Sequence, residues 1–65
     1  SDKPYVGAAG GTGSIIFSSS APQMVQIYTI DGRLYRTVRL TQSVETVSGI
    51  PAGLYLTAGQ KVLVQ

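Results

Sequence analysis

Hydrophobic residues in this chain fall in short clusters separated by Gly, Pro, Ser and Asp, and no window of about 11 residues keeps the 3.6-residue period of an amphipathic helix. The pattern therefore predicts strands. Ile15, Ile16 and Phe17 mark a first strand over 14–18, closed by the Ser18–Pro22 loop because Pro22 cannot donate to a ladder. A second run, 23–30, places Val25, Ile27 and Thr29 on one face and Met24, Tyr28 and Ile30 on the other, which predicts a central strand covered on both sides. Asp31-Gly32 joins it to a third strand, a pairing expected to form a type I′ hairpin turn. In that third strand Leu34, Val38 and Leu40 alternate with Arg33, Tyr35, Thr37 and Arg39, and only Arg36 interrupts the alternation. A fourth run, 43–47, leads into Ile50-Pro51-Ala52-Gly53, where Pro51 fixes φ and Gly53 supplies a conformation that side chains disfavour. Runs over 54–57 and 61–65 then flank a turn at Ala58-Gly59. Terminal residues fray unless a sheet holds them, so the last run is expected to be paired. Six short strands with no helix indicate an all-β fold, a small antiparallel sandwich of the immunoglobulin-like kind.

The first 13 residues read differently. Gly7, Gly10, Gly11 and Gly13 stand too close together for an ordinary regular element, so 1–13 is expected to be a flexible Gly-rich linker and 14–65 the folded domain. A chain that opens on Ser1 rather than Met is expected to be a piece of a longer protein.

Composition narrows the chemistry. A chain of 65 residues buries only about 60% of its unfolded surface, so its core is thin. It contains no Cys and no His, which removes the disulfide staple, the thiolate metal site and the commonest general base. A net charge of +2 is too mild to point to nucleic acid, and no apolar run approaches the roughly 20 residues of a spanning helix. Neither nucleic-acid binding nor direct membrane insertion is expected. The glycines do not make a phosphate loop, because position 16, where a dinucleotide fingerprint would need its third Gly, is Ile16, and no Lys follows them at P-loop spacing. The carboxylates Asp2, Asp31 and Glu45 do not form a pair suited to acid–base work, and Ser18, Ser19 and Ser20 have no His to activate them. The expectation is a protein that is not an enzyme and has no cofactor and no metal.

One group of side chains could carry recognition. Arg33, Tyr35 and Arg39 share a predicted face, and an aromatic ring between cations can hold an anionic sugar. Exposed strand edges also predict weak homodimer formation.

Beyond these readings, the chain resembles a known family. The succession Val25-Gln-Ile-Tyr-Thr-Ile-Asp-Gly-Arg-Leu-Tyr-Arg-Thr-Val-Arg-Leu40, then Ile50-Pro-Ala-Gly-Leu-Tyr55, then Gly59-Gln-Lys-Val-Leu-Val64, is similar in order and spacing to the C-terminal sorting domains of the Bacteroidetes type IX (Por) secretion system. The resemblance implies a module that directs secretion and cell-surface attachment of an upstream cargo by docking on the translocon or other sorting machinery. It implies an exported protein at the outer-membrane surface or outside the cell. Its recognition residues would be Gly53, Tyr55, Lys61, Val62 and Val64, with Asp31, Gly32, Pro51 and Gly59 forming the turns. The alternative is a structural or adhesive β-module, with glycan bound through Arg33, Tyr35 and Arg39.

Overall fold

The computed structural model describes residues 4–65, and these form seven strands in two antiparallel sheets. The strands are β1 (Val6–Gly10), β2 (Ser14–Ser19), β3 (Gln23–Thr29), β4 (Leu34–Leu40), β5 (Val44–Ser48), β6 (Gly53–Thr57) and β7 (Gln60–Val64). One sheet has the order β1-β2-β5 and the other β4-β3-β6-β7. This is a small β-sandwich, and its strand order is immunoglobulin-like, with the fourth strand beside the third rather than beside the fifth. Alternation explains the core. Ile15 and Phe17 from β2 face Val25 and Ile27 from β3, Leu40 from β4, Tyr55 from β6, and Val62 and Val64 from β7, with Ile50 closing one end.

Tyr55 fixes a corner of the sandwich. Its ring is 6% exposed, and its hydroxyl donates to the Pro51 carbonyl at 2.7 Å, tying the start of β6 to the turn that precedes it. A Tyr at the start of the sixth strand bonded to backbone a few residues upstream is the tyrosine corner of immunoglobulin-like domains.

The expected linker is replaced by structure. Val6–Gly10 is strand β1, in register with β2 from Val6↔Ser19 to Gly10↔Ile15; residues 1–3 of the expected linker lie outside the described residues. Gly10 there provides close approach rather than slack. A Cβ on Gly10 would stand 1.7 Å from the Leu63 carbonyl oxygen, so β1 can lie against β7 only if position 10 has no side chain. Just beyond, Gly11 N–H donates to the Ser14 carbonyl, Gln65 N–H to the Gly11 carbonyl, Gly13 N–H to the Gln65 carbonyl and Ile50 N–H to the Gly13 carbonyl, at 2.8–3.0 Å. Gln65 is thus held on both its N–H and its C=O, as the expectation of a paired final strand requires.

The two hairpin turns exchange roles relative to expectation. Asp31-Gly32 does not make a two-residue type I′ turn. Thr29 N–H donates to the Arg33 carbonyl and Gly32 N–H to the Thr29 carbonyl, enclosing a three-residue loop with Gly32 at φ +91°. Asp31 keeps a negative φ; its carboxylate instead accepts from the Thr29 hydroxyl and pairs with Arg33 at 3.5 Å. The two-residue turn lies between β6 and β7, where Ala58 (φ +52°) and Gly59 (φ +72°) both take the left-handed region, as type I′ demands.

Candidate functional site

Where alternation places apolar side chains on both faces of a strand, the outward set is left for recognition. In the four-stranded sheet, Val25, Ile27, Tyr55, Val62 and Val64 take the inward positions. The outward positions hold Met24, Gln26 and Tyr28 on β3, Thr37 and Arg39 on β4, Leu54 and Leu56 on β6, and Lys61 and Leu63 on β7. Met24, Leu34, Leu54 and Leu63 are 46–56% exposed, and register sets Leu34 beside Tyr28 and Leu54 beside Leu63, while Met24 lies beside Arg39. Tyr28 lies opposite both Leu34 and Leu56, Leu56 opposite Lys61, and Leu54 opposite Leu63. The result is an apolar band crossing all four strands, rimmed by Arg39 beside Met24 and by Lys61. The other sheet presents mostly hydroxylated residues outward, Ser14 and Ser18 on β2 and Thr46 and Ser48 on β5, with a half-buried Ile16 between them and Val44 at one edge. Apolar residues scattered singly over a surface carry no message, but a contiguous band does.

The band exists because β4 bulges. Its ladder with β3 pairs Ile27 with Arg36 and Tyr28 with Leu34, skipping Tyr35. Leu34, expected inward, therefore comes out beside Tyr28, and Tyr35, expected outward, packs on the core with its ring 5.5 Å from that of Tyr55. The same bulge accounts for the interruption at Arg36, whose guanidinium lies 5.4 Å from the Tyr35 ring centroid and donates to the Ser48 carbonyl of β5 across the gap between the sheets. The expected Arg33, Tyr35 and Arg39 face is consequently divided: Arg33 sits in the β3–β4 loop paired with Asp31, Tyr35 is half-buried, and Arg39 alone lies outward on the strand. Likewise β3 is central, between β4 and β6, but its outer face is open rather than covered.

The residues expected to be read by a receptor also separate. Val62 and Val64 are 3% and 1% exposed, and Tyr55 is the corner residue, so these three side chains face the core and offer no direct contact. Gly53, at φ +154°, makes the entry to β6, and Lys61 is exposed on the outer face. Gly59 lies in a turn, as expected, and Pro51 lies in the connection between β5 and β6, just before the bend at Ala52. Leu54, Leu56 and Leu63, absent from that expected set, were detectable in principle: in Leu54-Tyr-Leu-Thr57 and Lys61-Val-Leu-Val64 every second residue is committed to the core, and leucines occupy the intervening positions.

A cleft opens at one end of the band. Strands β3 and β6 pair at Tyr28↔Leu56 and Thr29↔Tyr55, after which the Thr57 hydroxyl donates to the Gln26 carbonyl at 2.9 Å in place of a ladder bond. The β6–β7 hairpin tip then diverges from β3 and leaves an open cleft of about 520 Å³ between Gln26 and Tyr28 on one side and the stretch from Leu56 to Lys61 on the other. Among the described residues no cluster of His, Cys, Asp and Glu could hold a metal ion, and no helix is long and apolar enough to cross a membrane; Asp2 lies outside them. No protein-family model, curated protein or solved structure matches this chain.

Proposed function

We propose that this domain is a non-catalytic recognition module that docks through the outer face of its four-stranded sheet, and that its task is secretion and cell-surface attachment of a cargo carried upstream. The observation that supports the docking surface is the band of Leu34, Tyr28, Leu56, Leu54 and Leu63, with Met24 nearby, left uncovered on a fold whose core is already complete. The resemblance of Val25–Leu40, Ile50–Tyr55 and Gly59–Val64 to type IX sorting domains supports the assignment to export, with the translocon or another component of the sorting machinery as partner and the outer-membrane surface or the exterior as destination. Lys61 and Arg39 at the rim would set orientation, and the leucines would supply the affinity.

The test is localisation of a reporter fused ahead of all 65 residues, in a host with and without a working type IX translocon. Starting the fusion at Ser1 keeps β1 intact. Surface display confined to the competent host is the expected result; retention in the periplasm of both hosts would overturn the reading. Removing Lys61–Gln65 would be a poor control, because Val62 and Val64 would leave the core with it. Leu54→Ser with Leu63→Ser leaves the core in place and should still abolish display.

A further inference from the structure

We infer that the cleft at the β6–β7 hairpin tip binds an acidic saccharide, a pyranose unit bearing a carboxylate. The lining brings together the groups such a ring needs. Tyr28 and Leu56 are cross-strand neighbours on the outer face and form an apolar floor against which the C–H face of a sugar can lie. The Tyr28 hydroxyl donates to Gln26 Oε1, which fixes the carboxamide and leaves its Nε2 group free to donate to a ring hydroxyl. Lys61, opposite Leu56 in the ladder, is exposed and makes no ion pair with a carboxylate among the described residues, so its ammonium is available to a ligand carboxylate at the far side of the floor.

One further feature favours a saccharide over an extended peptide. The Gln26 carbonyl, which an added strand would use as an acceptor here, is occupied by the Thr57 hydroxyl, so the cleft wall is not a free sheet edge. The space of about 520 Å³ lies within the range of small-molecule sites. This site is distinct from the divided Arg33, Tyr35 and Arg39 set, and it does not depend on the export reading, because its test needs no secretion machinery.

The experiment is a titration of the 65-residue chain, followed by amide chemical shifts, with trigalacturonate, with galacturonate monosaccharide, with neutral maltotriose and with acetate. Trigalacturonate should move the amides of Gln26, Tyr28, Ala58, Gly59 and Lys61 while those of β2 and β5 stay still. Maltotriose should bind at least ~10-fold more weakly, and acetate should not reproduce the pattern. Galacturonate alone moving the same amides would identify a single acidic unit as sufficient, whereas a response to trigalacturonate only would place the site on a polymer; either supports the assignment. Lys61→Gln should weaken trigalacturonate binding by at least ~10-fold, one charge-assisted contact, and Gln26→Leu should weaken the acidic and neutral sugars alike. No shift at millimolar trigalacturonate, equal shifts with acetate, or unchanged affinity in Lys61→Gln would each overturn the proposal.

Discussion

The seam between β1 and β7 and the outer face of the four-stranded sheet share strand β7, yet they do opposite work. At the seam, side chains are removed so that backbones can meet: Gly10 lies against the Leu63 carbonyl, Gly11 and Gly13 hold Gln65 through backbone hydrogen bonds, and Ile50 N–H donates to the Gly13 carbonyl. On the outer face, side chains are added that the fold does not need, since Leu54 and Leu63 project into solvent from strands whose other faces complete the core. The contrast separates residues that hold the domain together from residues that the domain displays. β7 belongs to both sets, with Val62 and Val64 inward and Lys61 and Leu63 outward.

The largest effect should come from filling the seam. Gly10→Ala forces a methyl group into the Leu63 carbonyl, and we expect a loss of at least ~3 kcal/mol, enough to unfold much of a small domain, measured by urea denaturation followed by circular dichroism. A fully folded Gly10→Ala variant would show that the seam is not closed in solution. Next is Tyr55→Phe, which keeps the ring but strands the Pro51 carbonyl; a cost of about 1–2 kcal/mol is expected in the same assay. Ala58→Gly should act with opposite sign, stabilising by ~0.5–1 kcal/mol because glycine accepts the left-handed conformation that Ala58 is held in. The smallest stability change, within about 1 kcal/mol, belongs to the outer-face pair Leu54→Ser with Leu63→Ser, although its effect on surface display should be the largest of all. If that pair instead unfolded the domain, the division between seam and face would fail.

Much of this was legible along the chain, and the misreadings share a cause. Alternation located β2 to β7 and the inward positions of Val38 and Leu40, and it put Val25 and Ile27 on one face, because each depends on a two-residue period written into neighbouring residues. Gly7, Gly10, Gly11 and Gly13 were misread because a glycine needed for close approach has the same local signature as one that confers flexibility; only the presence of Leu63 above Gly10 tells them apart. Tyr35 and Leu34 exchanged faces because a bulge shifts the side-chain period by one, and its one local sign, the break in alternation at Arg36, does not say on which side of it the period shifts.

The sequence by itself determined that the chain is all-β, that its hairpins turn at Asp31-Gly32 and Ala58-Gly59, that it has no His or Cys for catalysis or metal binding, and that its final run pairs. These follow from residue type and short-range order. The tertiary structure alone decided that β1 joins the sandwich, that the Tyr55 side chain is buried with its hydroxyl on the Pro51 carbonyl, and that leucines, Tyr28 and Lys61 gather on one open face. Each of those depends on which strand lies beside which, and that pairing is set by closing two sheets over one core, across separations of up to 50 residues and more, where no local pattern reaches.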